Sequence, residues 1–507
     1  MGLILNADKL QFMKPALIVL ILILVAMVIS SIVFTVLNIR TKKRNRSSKL
    51  ILGMVYSTTI VVLACTILCL NRYNTISEAL QNTTLSTSIA DTEASTDVTT
   101  EATTQATTVP PTEPDPTYEP NLTENTDPNK WNIKWEIFQN GSKIDSYNRN
   151  EAITFGDAAE YSALEGVITF RGDNYRTGAT YGTASIVNKT ITKKWNAKIG
   201  SLNKWTGCGW TGQPLIVRWD AETKAIMNLY DRKKEKADLV EVIYATLDGN
   251  IYFYDLEDGS YTRDPIWIGM NFKGAGSLDP RGYPLMYVGS GDSISGKSPR
   301  MYVISLVEGK ILYEQNGLDT DAKRKWYAFD SAPLVDADTD TLIWPGESGM
   351  LYTIKLNTDY DKAAGTLSVA PETMVKACYS SNTGRKVGCE SSTLIVGRYL
   401  YFADNGGLFF CVDLDTMELV WAQDTKDDVN ATPVFEWGDD GKGYIYTGTS
   451  MEYAKGTTYI HKLDAATGEV LWEKAYTGVT YNASVSGGIL SSPILGKQGT
   501  DLEGLII

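Results

Sequence analysis

Four residue types in this sequence are placed where they could do chemistry or bind, and each placement limits what that is. Cys378 and Cys389 flank the loop 379–388 and could clip it with a disulfide in an oxidising compartment; two buried free thiols are the other reading of the same pair. Cys208 and Cys411 stand apart from them, and Cys65 and Cys69 fall inside an apolar run. The single histidine, His461, excludes a histidine-rich zinc cluster and leaves a serine triad only one candidate base. No Gly-x-Ser-x-Gly elbow accompanies it, so it reads as a strand residue. Asp336, Asp338 and Asp340 alternate as carboxylates do in calcium loops, where several oxygens converge on a hard cation. The glycine and distal glutamate of an EF-hand are missing, and acidic residues are ordinary in a turn between apolar strands. Trp205, Trp210 and Trp219 could present rings to a sugar or pack as core.

The elements that must position these residues repeat about every fifty residues. Leu463-Asp464-Ala465-Ala466-Thr467-Gly468-Glu469-Val470-Leu471-Trp472 superposes without a gap on residues 412–421, and more loosely on 255–260 and 305–313. An Asp leaves one strand, Thr-Gly or its equivalent supplies positive φ, and an apolar run ending in an aromatic forms the return strand. A second hairpin precedes each copy, as in residues 243–254 and 400–411, and a short x-Pro-apolar strand precedes that, at Pro214, Pro333, Pro433 and Pro493. Four short strands per repeat at this period predict an all-β fold, a β-propeller of four-stranded blades. Blades fall near 213–269, 276–317, 331–369, 390–425 and 431–476, with fragments at 191–195 and 492–507. Seven or eight blades are expected when complete, the last of them cut short here. The aromatic recurring at Tyr313, Trp421 and Trp472 is expected to be buried between blades.

Residues 15–37 and 50–70 are uncharged runs long enough to cross a bilayer, and the loop 38–49 between them carries six basic and no acidic residues. Such a loop stays in the cytoplasm, so residues 1–14 form a short extracytoplasmic N-terminus and everything after residue 70 lies outside. The expected localisation is the cell membrane, multi-pass, with the large C-terminal domain extracytoplasmic. Residues 71–128 are rich in Thr, Ser, Pro and Glu and read as a disordered stalk ahead of a propeller domain at 130–507. With 60 acidic against 47 basic residues and a net charge of −13, nucleic acid is excluded as a partner.

The segment Phe170-Arg171-Gly172-Asp173-Asn174, followed by Arg176-Thr177-Gly178, together with the Asp-x-x-Thr-Gly-x-x-x-Trp hairpins, resembles the repeat of the pyrroloquinoline-quinone-like (PQQ-like) β-propeller family. The likeness covers roughly residues 150–507. It accounts for the adhesion tripeptide Arg171-Gly172-Asp173 as part of a structural lead-in. The family holds quinoprotein alcohol dehydrogenases and non-enzymatic propellers such as the outer-membrane assembly lipoprotein. Its dehydrogenases sandwich the quinone between a Trp and an adjacent Cys-Cys disulfide, beside a calcium ion, and this sequence has no adjacent cysteines. The expectation is a membrane-anchored, non-catalytic binding or scaffolding module with a protein or carbohydrate ligand at the propeller face. No cofactor is expected unless calcium binds. The alternatives are a quinoprotein-like oxidoreductase and a ligand sensor signalling through a membrane partner.

Overall fold

The computed structural model describes residues 118–184, 187–209, 211–480, 486–496, 502 and 504–506, all within one compact unit. The expected membrane hairpin at 15–37 and 50–70, the basic loop and most of the stalk lie outside the described residues. Among the described residues no helix is long and apolar enough to cross a membrane.

Repetition in the sequence becomes repetition of sheets. Blade 1 pairs Leu215–Arg218, Glu241–Ala245, Asn250–Asp255 and Ile266–Trp267 in order, all antiparallel. Blade 2 is built from Ser277–Leu278, Leu285–Gly289, Arg300–Ser305 and Lys310–Asn316. In blade 3 the strands are Leu334–Asp336, Thr341–Gly346, Met350–Lys355 and Val375–Ser380. Blade 4 comprises Leu394–Val396, Tyr399–Ala403, Leu408–Asp413 and Glu418–Asp424, and blade 5 Val434–Trp437, Gly443–Gly448, Thr457–Asp464 and Val470–Thr477. These successive four-stranded antiparallel sheets are the blades of a propeller.

The repeated turn forms as its residues dictate. Asp464 Oδ1 accepts the N–H groups of Ala466 and Thr467, both at 3.0 Å, while Gly468 N–H returns to the Asp464 carbonyl at 2.8 Å. Gly468 needs its φ of +74° for that closure, and at the equivalent place in blade 4 Met417 is held at +57°. A register shift follows in blades 2, 4 and 5, at Val303/Ile304, Cys411/Val412 and Lys462/Leu463. This bulge aligns Tyr313, Trp421 and Trp472 as equivalents. Their surroundings differ. Trp421 is fully buried because the turn of blade 5 lies on it: a Cβ on Gly468 would come 2.6 Å from the indole. Trp472 is 39% exposed, since among the described residues no further turn covers it. The burial expected of Trp472 is therefore corrected.

Three other boundaries move. The outer strand of blade 3 is Val375–Ser380, while Thr358–Asp361 and Thr366–Val369, expected inside the blade, form a hairpin of their own. Burial decides between them, because Val375, Ala377, Cys378 and Tyr379 are all sequestered whereas the hairpin alternates half-exposed. Lys134–Gln139 then pairs with Val375–Ser380 and brings Ser142–Ile144 with it, widening blade 3 to six strands. Folded structure begins by Tyr118, ten residues inside the expected stalk. The Tyr118 hydroxyl lies 2.6 Å from that of Tyr401, its ring meets Trp437 edge-on at 5.2 Å, and the Thr126 carbonyl accepts the Ala422 N–H. Finally, residues 191–195 form no strand, although Trp195 covers the turn glycine Gly259 as Trp421 covers Gly468.

Residues 165–177 run along the inner strands of all five blades. Glu165–Val167 pairs with residues 216–218 of blade 1, and the Ile168 carbonyl accepts from Leu278 N–H of blade 2 at 2.7 Å. The carbonyls of Asn174 and Tyr175 accept from Ile395 of blade 4 and Phe435 of blade 5, at 3.0 and 3.1 Å. Arg176, fully buried, donates to the carbonyls of Phe170, Ala332 in blade 3 and Thr393 in blade 4, and to the Thr169 hydroxyl. Inner strands surround a propeller's axis, so this segment is an axial plug. The plug places Gly172 at φ +86°, where a Cβ would sit 2.1 Å from the Gly178 carbonyl oxygen. Arg171 and Asp173 are buried with it, which removes the adhesion tripeptide from the surface.

Candidate functional site

Each inner strand starts at what we call the upper face, and the residues just before it line the upper mouth of the axis. Lys273 precedes the inner strand of blade 2, Asp330 that of blade 3, Glu390 that of blade 4 and Asn430 that of blade 5. Loops between second and third strands reach the same place with Asp292, Glu347, Asp404 and Asn405. The fold thus collects at one mouth residues that are far apart in the chain.

The Lys273 ammonium lies 2.9 Å from Asp292 and 3.4 Å from Asp330, with the rings of Trp205 and Trp326 at 5.8 and 5.2 Å. Burial works against its charge, but Asp330, Glu347 and Asp292 outweigh that and hold it above the usual lysine range. Arg324 bonds the Val387 carbonyl at 3.1 Å, Asn405 Oδ1 at 2.9 Å and the Glu347 carbonyl at 3.4 Å, and stands 3.8 Å from the Glu347 carboxylate. Asn405 passes on a donor to Glu390 at 3.1 Å. Asp428 accepts from the Ser450 hydroxyl at 3.0 Å and the Asn430 amide at 2.9 Å.

Asp292, Asp330, Glu347, Glu390, Asp404 and Asp428 are six carboxylates at this mouth, set against Lys273 and Arg324, with Arg385 acting on Asp404. Not all of them can stay ionised out of water. Burial first, then Asp330 and Glu390, push the Glu347 carboxyl well up, and burial with Glu390 raises Asp428 to about 8. Asp404 rises to about 7 through burial, although its carboxylate accepts the N–H groups of Leu408 and Gly406. Asp330, Glu347 and Glu390 can each bring one oxygen within 4.8 Å of the others, and an all-oxygen set of this kind suits calcium.

The residues singled out from sequence fare differently. Asp336, Asp338 and Asp340 sit at the opposite, lower face and do not converge. Asp336 accepts from Thr339 and Thr154 N–H, Asp338 from the Thr154 hydroxyl, and Asp340 pairs with Arg281 at 2.7 Å. Among the described residues the carboxylates that do converge are Asp330, Glu347 and Glu390. Cys378 and Cys389 are both buried free thiols, so the expected disulfide is not formed. Cys378 points into the core shared by blades 2 and 3, beside Glu136, and Cys389 into the central core, its thiol on the Ser391 carbonyl at 3.0 Å. Burial raises both thiols, that of Cys378 to about 11. His461 is buried, its Nε2 3.0 Å from Glu473, and burial lowers its pKa, as suits a packed strand residue. Trp219 is core, bonded to Glu241; Trp205 stands at the mouth; Trp210 lies outside the described residues.

No family model matches the chain, and no curated protein does. Among solved structures it is similar to BamB from Moraxella catarrhalis, at 15% identity over 56% of this chain and 74% of that one, with a TM-score of 0.31. It is also similar to a europium-containing methanol dehydrogenase, at 12% identity over 66% and 88%, TM-score 0.37. A third is the quinohemoprotein alcohol dehydrogenase ADHIIG from Pseudomonas putida HK5, at 15% identity and a TM-score of 0.39, of which the chain covers 48%. These are the two kinds of protein that the sequence resemblance brings together. Likeness at this level decides nothing about chemistry, which has to come from the side chains.

Proposed function

We propose that the protein is a membrane-anchored, extracytoplasmic β-propeller that binds or scaffolds and does not catalyse. The observation that carries this reading is the axial plug. The space inside the inner strands is taken by residues 165–177, with Arg176 sealed between the carbonyls of Ala332 and Thr393, rather than left for a flat cofactor. The thiols do not fit a quinone either, because Cys378, Cys389 and Cys411 are distributed over three separate cores and Cys208 is exposed elsewhere. Anchoring rests on the apolar runs 15–37 and 50–70 and the basic loop between them. Tyr118, where the described residues begin, lies at the lower face beside Tyr399 and Trp437, opposite the acidic mouth.

The test is equilibration of the full chain in detergent with pyrroloquinoline quinone and calcium, followed by desalting. The expected result is no retained quinone absorbance and no alcohol-dependent dye reduction. One quinone retained per chain overturns the reading.

A further inference from the structure

Beneath the plug, at the lower face, a cavity of about 680 Å³ lies between residues 157–180 and the end of the blade 5 inner strand. Its volume is that of a small-molecule site. Three rings stand along it in fixed relation: Tyr175 meets Phe435 at 4.7 Å, and Phe435 meets Trp437 edge-on at 5.0 Å. Hydrogen bonds lock them, since Trp437 Nε1 donates to the Tyr175 hydroxyl at 3.2 Å and that hydroxyl donates to Asp157 Oδ1 at 3.0 Å.

The ionisable residues lining the cavity, apart from tyrosine, are all acids: Asp157, Asp173 and Glu436. Among the described lining residues there is no Lys, Arg or His. Asp173 is consumed by the plug, accepting the N–H groups of Tyr175 and Thr177 and the Thr177 hydroxyl. Asp157 and Glu436 each spend one oxygen on a tyrosine hydroxyl, Glu436 on Tyr446 at 2.6 Å, and both remain half-exposed. The plug's Arg176 is turned the other way, into backbone carbonyls. A preformed cavity with aromatic walls and two partly solvated carboxylates is complementary to positive charge on an apolar stem, because ring faces and carboxylates attract the same cation.

From this geometry we infer that the lower cavity is a binding site for a small organic cation, a protonated amine carried on an apolar or aromatic group. The inference rests on the reading of the chain as a binding module and is independent of the acidic mouth at the other face.

The experiment uses the full chain in nanodiscs at pH 7 with three probes of one shape: benzylamine, benzyl alcohol and benzoate. Calorimetry should give benzylamine one site and an affinity at least tenfold above the other two. Asp157→Asn and Glu436→Gln keep an oxygen for the tyrosine hydroxyls and remove the charge, so each should weaken benzylamine about tenfold with the thermal transition unchanged. Equal affinities for the three probes, no benzylamine binding at 10-millimolar order, or an affinity indifferent to both variants overturns the inference. A lysine-containing peptide that binds more tightly than the free amine also overturns it, in favour of a peptide site. Failure here with no quinone retained in the earlier test leaves the binding-module reading standing.

Discussion

Replacing Arg176 with Met removes its four guanidinium hydrogen bonds while keeping much of its stem. The guanidinium donates at 2.5 Å to Thr393 O, 2.7 Å to Phe170 O, 3.0 Å to the Thr169 hydroxyl and 3.2 Å to Ala332 O, all inside a fully buried site. Each buried acceptor left without a donor costs roughly 1–3 kcal/mol, although backbone carbonyls can share remaining donors and water can enter a polar gap. Burying the guanidinium is itself unfavourable, and burial lowers its pKa to about 10, so its removal also returns some desolvation energy. The balance is a loss of about 3–5 kcal/mol for Arg176→Met. Arg176→Lys, which keeps charge and one or two donors, should lose about half as much. Urea denaturation gives the magnitude. Hydrogen exchange gives the location, because the amides of Leu278, Ile395 and Phe435 donate to plug carbonyls and should lose protection first. A loss below about 1 kcal/mol, or unchanged exchange at those three amides, refutes the assignment of residues 165–177 as the element that ties the blades at their axis.

The equivalent aromatics of blades 4 and 5 should separate in stability: Trp421→Ala costs about 3–5 kcal/mol and Trp472→Ala less than about 1, read from denaturant midpoints. Asp428 and Asp404 have folded pKa values of about 8 and 7, above their unfolded ones, so the stability they permit is complete near pH 4 and declines as pH rises through about 8. In chelator, stability should therefore fall by about 2 kcal/mol or more from pH 5 to 8, and Asp428→Asn should flatten the curve. Millimolar calcium at pH 8 should raise the melting temperature, and Asp330→Asn should abolish the rise; equal rises in both proteins would remove calcium from the mouth. Thr100→Cys should react with a membrane-impermeant thiol reagent on intact cells and Ser47→Cys should not, with the reverse pattern refuting the topology.

The blades were legible because each is written locally. The Asx turn at Asp464, the positive-φ residue after it and the bulge that aligns Trp421 with Trp472 lie within one short stretch, and the hairpin they specify needs no distant partner. Lys134–Gln139 could not be assigned that way, since its strand partner Val375–Ser380 lies far along the chain and nothing in either segment names the other. The mouth failed for a related reason. Asp336, Asp338 and Asp340 form an alternating acidic run within one turn, but a turn between adjacent strands projects such residues toward its own backbone and nearby donors. Asp330, Glu390 and Asn430 are isolated in sequence, yet each stands three positions ahead of Pro333, Thr393 or Pro433, the residue just before the inner strand. In a propeller, equivalent positions of successive blades become neighbours around one axis. A site in such a fold is therefore found by stacking the repeats: the column ahead of the inner strands supplies Lys273, Asp330 and Glu390, and the loops between second and third strands add Asp292, Glu347 and Asp404.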